Sequence, residues 1–204
     1  MDLRGPAACE VTESYFSLRM KVPTFAIVGP ESSGKSTLTE ALAHHYRCVW
    51  VKEYARAVLE EQGPDYVEED LLAFARGQLV ALGEGIQMAQ RTGPPLVFCD
   101  TDIITIRIWS EEVYGRCHPL IKQLANNVAF DHWFLCRPDM PWEPDPLREN
   151  PQDRDRLFTV YEDMLKRLKK PYTIIEGDHG ARMRTATAIV DGLAEIGGKN
   201  MRRK

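Results

Sequence analysis

From position 22 onward the chain alternates short apolar runs with longer stretches in which apolar residues return every three or four positions. The short runs, at 24–28, 48–53, 96–100, 131–136 and 172–176, are continuously apolar rather than alternating, as expected of strands covered on both faces. Between them, Val67, Leu71, Phe74, Gln78 and Leu82 keep helical spacing, as do Leu157, Val160, Tyr161, Met164, Leu165 and Leu168. Both stripes read as core-facing helix surfaces. Ile189, Val190, Leu193 and Ile196 mark a last helix over about 181–196, with Gly197 and Gly198 as its stop signal. Strands alternating with helices predict an α/β fold, three layers built around a five-stranded parallel sheet.

The ends and one internal stretch depart from this rhythm. Residues 1–22 show neither periodicity nor turn pattern and read as an N-terminal tail, or as sequence preceding a native start at Met20. A domain over 23–197 follows, and 198–204 form a basic C-terminal tail. The stretch 137–151 contains Pro138, Pro141, Pro144, Pro146 and Pro151, which excludes a long helix or a central strand. It reads as a lid over the carboxyl ends of the strands.

Composition narrows the classes. A chain of 204 residues with 44% hydrophobic and 27% charged residues can bury the core of one domain. Thirty acidic against 26 basic residues leave a net charge of −4, with no positive surplus to grip a phosphate backbone, so nucleic acid is not expected as a partner. Cys9, Cys48, Cys99, Cys117 and Cys136 are scattered, with no C-x-x-C pair, which disfavours a disulfide framework or a zinc site and fits a reducing, cytoplasmic setting. No apolar run approaches the roughly 20 residues of a membrane span. Asp2, Glu10 and Glu13 stand where a signal peptide would be apolar. No pattern specifies an oligomeric state.

The chemistry begins at Gly29-Pro-Glu-Ser-Ser-Gly34-Lys35-Ser36, which matches G-x-x-x-x-G-K-[ST] between an apolar strand and a helical stretch. In such a loop, glycines let the backbone wrap phosphates while N–H groups at the helix start supply positive potential. Gly29, Glu31, Ser32, Ser33, Gly34, Lys35, Ser36 and Thr37 therefore form the expected ATP cradle. Lys35 reaches the β and γ phosphates, Ser36 places its hydroxyl on Mg²⁺, and Thr37 helps hold the α phosphate. An acidic residue ending an apolar strand is the second element such sites need. Leu96-Val-Phe-Cys-Asp100 supplies it, with Asp100 anchoring the metal through water. Asp102 competes for that role, and the helix-cap alternative stands beside it.

Several blocks together resemble the nicotinamide riboside kinase domain of the NadR family. They are 29–38, Glu53-Tyr-Ala-Arg56, Phe98-Cys-Asp-Thr-Asp102, and Asp139-Met-Pro-Trp142 with Asp145 and Arg148 following. The likeness spans roughly 23–196. It implies a nucleoside- and nucleotide-kinase-like P-loop fold in strand order 2-3-1-4-5. It also implies ATP-dependent phosphorylation of the ribose 5′-hydroxyl of nicotinamide riboside, giving nicotinamide mononucleotide. Family members often carry an adenylyltransferase domain as well; with 22 residues before the kinase-like part, that activity is not expected here.

Phosphoryl transfer needs in-line positioning, charge neutralisation and a group that orients or deprotonates the acceptor hydroxyl. Glu53 ends the strand 48–53 and receives the hydroxyl proton or pairs with Arg56, which lies one helical turn on and faces acceptor or phosphate; a surface carboxylate opening the helix 54–61 is the alternative. Trp142 offers a flat face for a charged pyridinium ring, or anchors the loop by packing. Within the resembling blocks, Asp102 and Asp145 are further acceptor contacts and Arg148 a catalytic cation. Arg148, Arg154 and Arg156 all compete to close on the transferring phosphate. The turn 177–180 is expected on the adenine side, contributing backbone groups.

Overall fold

The computed structural model describes residues 22–147 and 152–201, and for 194–201 the backbone alone. Arg148 and most of the two expected tails, 1–21 and 202–204, lie outside the described residues. Five strands, β1 (Thr24–Val28), β2 (Val49–Val51), β3 (Val97–Asp100), β4 (His132–Cys136) and β5 (Tyr172–Ile175), form one parallel sheet in the order β2-β3-β1-β4-β5. The expected fold class and strand order are both found. The helices are α1 (Lys35–Tyr46), α2 (Tyr54–Gln62), α3 (Glu68–Thr92), α4 (Ile103–Tyr114), α5 (Pro119–Asn127), α6 (Arg154–Arg167) and α7 (His179–Met201).

The strand alternation sets the layers. Phe25 and Ile27 of β1, Phe98 of β3 and Phe134 of β4 point to one face, where they pack with Leu38 and Leu42 of α1 and Ala186 and Val190 of α7. Ala26, Val28, Cys99, Trp133 and Leu135 point to the other and meet side chains of α3, α4, α5 and α6. Each fully buried Phe or Leu in these layers stabilises the fold by roughly 1.5–3 kcal/mol. The stacked rings of Phe25 and Phe134, 5.8 Å apart, bind the central strands on one side.

Several strand ends shift by one residue, and β2 and the last helix differ by more. β2 ends at Val51, so Glu53 sits on the turn into α2 rather than in the strand. As a sheet-edge strand, β2 has a ladder partner on one side only and needs fewer residues to seat it. α7 runs through Gly197 and Gly198 to Met201 instead of stopping there. A glycine inside a helix costs about 1 kcal/mol relative to alanine but ends it only where the backbone turns left-handed.

Candidate active site

All five carboxyl ends of the strands open on one side, and there the loops surround a cleft of about 400 Å³. Its polar end is the loop from β1 to α1. Gly29 has φ 142°, and a Cβ there would lie 2.6 Å from the carbonyl oxygen of Cys136 on the neighbouring strand. Gly34 has φ 76°, and its Cβ would lie 2.8 Å from Met140 Cε. Gly29 therefore requires glycine for backbone conformation and for space, and Gly34 favours it for its left-handed backbone. Ser33 Oγ and Lys35 Nζ both donate to Pro30 O, at 2.7 and 2.8 Å, closing the loop on itself. α1 starts with no acidic residue in its first turn and no side-chain cap on Gly34. The free N–H groups and the positive end of the helix dipole are thus left for an anion. Residues 29–38 line the cleft without a gap, so the whole expected cradle is assembled.

Asp100 ends β3 in register with Ile27, which brings it beside this loop. Burial raises its carboxyl pKa, opposed by a hydrogen bond from Ser36 and by the charges of Lys35 and Arg56. Its Oδ1 is buried and has no hydrogen-bond partner among the described residues. A desolvated carboxylate oxygen left without a donor beside a serine hydroxyl fits a hard cation that prefers oxygen ligands, and Mg²⁺ is the fitting choice beside a triphosphate. Ser36 and Asp100 are the residues that would hold it.

Glu53 lines the same cleft at the start of α2. Desolvation, with the neighbouring Asp100 adding to it, pushes its carboxyl up to about 7, while Lys35 and Arg56 pull the other way. The backbone around it is clamped by Gln78 of α3, which is buried. Gln78 Oε1 accepts from Tyr54 N at 2.8 Å, and its Nε2 donates to Lys52 O and Cys99 Sγ at 3.4 and 3.3 Å. Next to it, Gly77 leaves room for the Tyr54 ring, whose Cε1 would lie 2.2 Å from a Cβ. Gln78 thus holds peptide groups on both sides of Glu53. Its signal in the sequence was a polar residue inside an apolar helical stripe, since a buried amide must find partners.

The far end of the cleft is apolar and aromatic. Tyr66 and Trp109 line it, their rings edge-to-face at 4.7 Å and joined by a hydrogen bond from Trp109 Nε1 to Tyr66 Oη at 2.9 Å. Phe74 stacks behind Trp109 at 5.9 Å. Leu59, Ile108, Val113, Leu147 and Leu157 complete the apolar wall, and Tyr161 and Thr105 lie toward the Glu53 side. These aromatic residues sit in separate helices and loops, so only the fold brings them together.

The Pro-rich stretch has no regular structure over 137–145 and rests on the phosphate loop. Glu143 N donates to Ser32 Oγ at 3.1 Å, and Arg154 Nη1 donates to Ser32 O at 3.1 Å and Met140 O at 3.0 Å. Of the two expected cations among the described residues, Arg154 is the one against the loop, whereas Arg156 pairs with Asp153 and Glu112. Arg56 lines the cleft and pairs with Asp145 and Glu60, which ties α2 to the Pro-rich stretch.

Not every expected site residue faces the cleft. Asp102 caps α4, its Oδ1 accepting from Ile104 N and Thr105 N at 3.0 and 3.3 Å. Its Oδ2 accepts from Trp133 Nε1 at 2.8 Å, and burial raises its pKa to about 6. The helix-cap alternative describes it. Trp142 lies under the Arg154 guanidinium, 5.7 Å from the ring centre, and neither it nor Asp145 is among the residues lining the cleft.

Comparison with known proteins agrees with this architecture. A family model described as an AAA domain matches residues 24–182. The trifunctional NAD biosynthesis/regulator protein NadR of Salmonella typhimurium is 31% identical over 183 residues, 86% of this chain and 44% of the relative. NadR of Escherichia coli is 31% identical over 175 residues, covering 83% and 42%. The chain thus spans less than half the length of these curated relatives. Among solved structures, a NadR protein in complex with NR superposes with a TM-score of 0.69 at 20% identity, over 86% of this chain and 52% of that one. The thymidylate kinase of Ehrlichia chaffeensis superposes with a TM-score of 0.59 at 18% identity, over 82% and 98%. At such identities the superpositions speak to the fold. The match over 24–182 makes this chain a member of the AAA-domain family, homologous to part of NadR.

Proposed function

We propose that the protein transfers the γ-phosphoryl group of ATP to a hydroxyl of a small nucleoside, and that the nucleoside is nicotinamide riboside. The observation that carries this reading is the layout of one cleft. A complete phosphate cradle and Glu53 line it, with Asp100 buried beside the loop, and the Tyr66–Trp109 pair lines its apolar part. Its volume of about 400 Å³ suits one small nucleoside beside a triphosphate end. The homology to NadR and the fold shared with a NadR protein in complex with NR support the choice of nucleoside.

In the reaction proposed, the acceptor oxygen attacks the γ phosphorus, the bond from that phosphorus to the bridging oxygen breaks, and ADP leaves with the electron pair. The acceptor proton passes to the Glu53 carboxylate. A carboxyl held near neutrality accepts a proton more readily than an ordinary surface one. Lys35 and the N–H groups of the loop steady the phosphate charge, and Arg154 stands beside the loop, bonded to Ser32 O. Ser36 and Asp100 would hold magnesium, which would supply charge neutralisation of the phosphate oxygens. Over the cradle, 137–147 serves as part of the lid, keeping water from the reacting groups. The flat indole of Trp109 suits a positively charged pyridinium ring, an attraction of roughly 0.5–2 kcal/mol.

A coupled ATP-consumption assay across a nucleoside panel, with product mass measured, tests the proposal. The expected result is a product 80 Da heavier than nicotinamide riboside, about the mass of one added HPO₃ group, absent with Lys35→Ala. Turnover of ATP without any phosphorylated acceptor would leave a nucleotide hydrolase in its place.

A further inference from the structure

Arg182 lies outside every motif of the phosphate loop, yet its buried guanidinium, 2% exposed, joins three of the loops at the carboxyl edge of the sheet. Nη1 donates to Ser33 O at 2.6 Å in the loop after β1, Nη2 to Arg137 O at 2.8 Å after β4, and Nε to Gly177 O at 2.9 Å after β5. Asp139 pairs with Nη2 and uses its other oxygen to accept from Gly177 N at 2.6 Å. The side chain also touches the cradle directly, since Nη1 would lie 3.4 Å from a Cβ on Gly34.

One of these bonds bears on phosphate binding. In a planar trans peptide the carbonyl and the N–H of the next residue point in opposite directions. Arg182, which also lines the cleft, holds the Ser33 carbonyl, so the Gly34 N–H is turned away from the guanidinium. Without that tether the peptide is free to rotate, because Gly34 sits at φ 76° and carries no side chain to resist a flip. A buried ion pair is a poor way to add stability, since an apolar group of similar volume often does as well. A guanidinium fork is, by contrast, well suited to fixing several carbonyls in one geometry.

We infer that Arg182 is a positioning residue for the phosphate cradle: it aims the Gly34 N–H at the nucleotide phosphates and locks that peptide to the root of the lid at Asp139. The inference rests on the reading of the cleft as an ATP site. Arg182 itself makes no contact with the reacting atoms in this scheme; it acts through the Ser33–Gly34 peptide. A lysine in its place keeps the charge but has a single nitrogen, which cannot serve three carbonyls and a carboxylate from three directions.

The test follows the Gly34 amide by NMR in ¹⁵N-labelled full-length protein titrated with magnesium and a non-hydrolysable ATP analogue, with steady-state kinetics alongside. In the wild type the Gly34 amide proton moves downfield on binding. In Arg182→Lys that shift is lost while the Lys35 and Ser36 amides still respond. KM for ATP rises about tenfold, the loss of one good hydrogen bond to a charged group, and KM for the acceptor is unchanged. Asp139→Asn, which leaves the guanidinium in place but removes its charged partner, gives the same pattern at smaller size and serves if Arg182→Lys does not fold. A native Gly34 shift and native KM for ATP in the folded variants would overturn the inference, even if their melting temperatures fall, for Arg182 would then be structural only. A wild type that does not bind the analogue would instead remove the ATP site itself.

Discussion

Gln78 accepts the backbone N–H of Tyr54 at 2.8 Å and reaches back to the carbonyl of Lys52, so one buried side chain grips the peptides on both sides of Glu53. Replacing it by leucine leaves the Tyr54 N–H without a partner, at a cost of about 1–3 kcal/mol. It also loosens the carboxylate that the proposed reaction uses. For Gln78→Leu, kcat is expected to fall about 10- to 100-fold with KM for ATP nearly unchanged, as positional errors near 1 Å do elsewhere. An unaltered kcat in a measurably less stable variant would reduce Gln78 to a packing role.

Glu53 acts in the proposed reaction as an ionised base, so its pH dependence has a definite sign. The charged form predominates above the folded pKa, which desolvation and Asp100 push up to about 7, and it is lost as the pH falls through that value. The rate should therefore drop on the acid side of neutrality, and that limb should vanish in Glu53→Gln along with about 10²–10⁴-fold in kcat. A wild-type profile that is flat through neutrality would argue against a Glu53 base.

In the proposed reaction, Trp109 and Trp142 are expected to bear on different substrates. Trp109→Ala removes the aromatic face at the apolar end of the cleft, so KM for nicotinamide riboside should rise about tenfold or more with KM for ATP unchanged. Trp142 sits under Arg154, which bonds the phosphate loop, so Trp142→Ala should act on ATP instead. The reverse pattern in side-by-side kinetics would return Trp142 to the acceptor site.

Asp102 carries load in the fold through the α4 cap and the Trp133 indole N–H. Losing the cap costs about 1 kcal/mol and the orphaned donor about 1–3 kcal/mol more. Asp102→Ala should then lower Tm by about 5–15 °C, with the magnesium requirement unchanged. If Tm holds while the magnesium concentration needed for activity climbs, the metal belongs to Asp102 as well as Asp100.

The loop proposed as the phosphate cradle was legible in the sequence because its geometry is local. Gly29, Gly34, Lys35 and Ser36 lie within eight residues, and a strand before and a helix after suffice to set their geometry. The five strands were legible for a similar reason, since burial on both faces writes a continuous apolar run. Strand order came through the family resemblance rather than from any run of residues. What the chain alone left undecided was every feature that depends on two distant segments meeting. Asp100 and Asp102 are both acids beside the same strand end, and only the position of Trp133, 31 residues on, turns Asp102 inward to a cap while Asp100 keeps a free oxygen at the loop. Trp142 and Trp109 are equally suited to an aromatic ring by composition; packing puts the first under Arg154 and the second beside Tyr66. Gln78 showed only as a polar residue inside an apolar stripe and Arg182 not at all, because a side chain that works by holding another segment's peptide groups leaves no spacing in its own. Local hydrogen bonds and periodicity are written in neighbouring residues, whereas the partners of a buried polar group are chosen when the core closes around it.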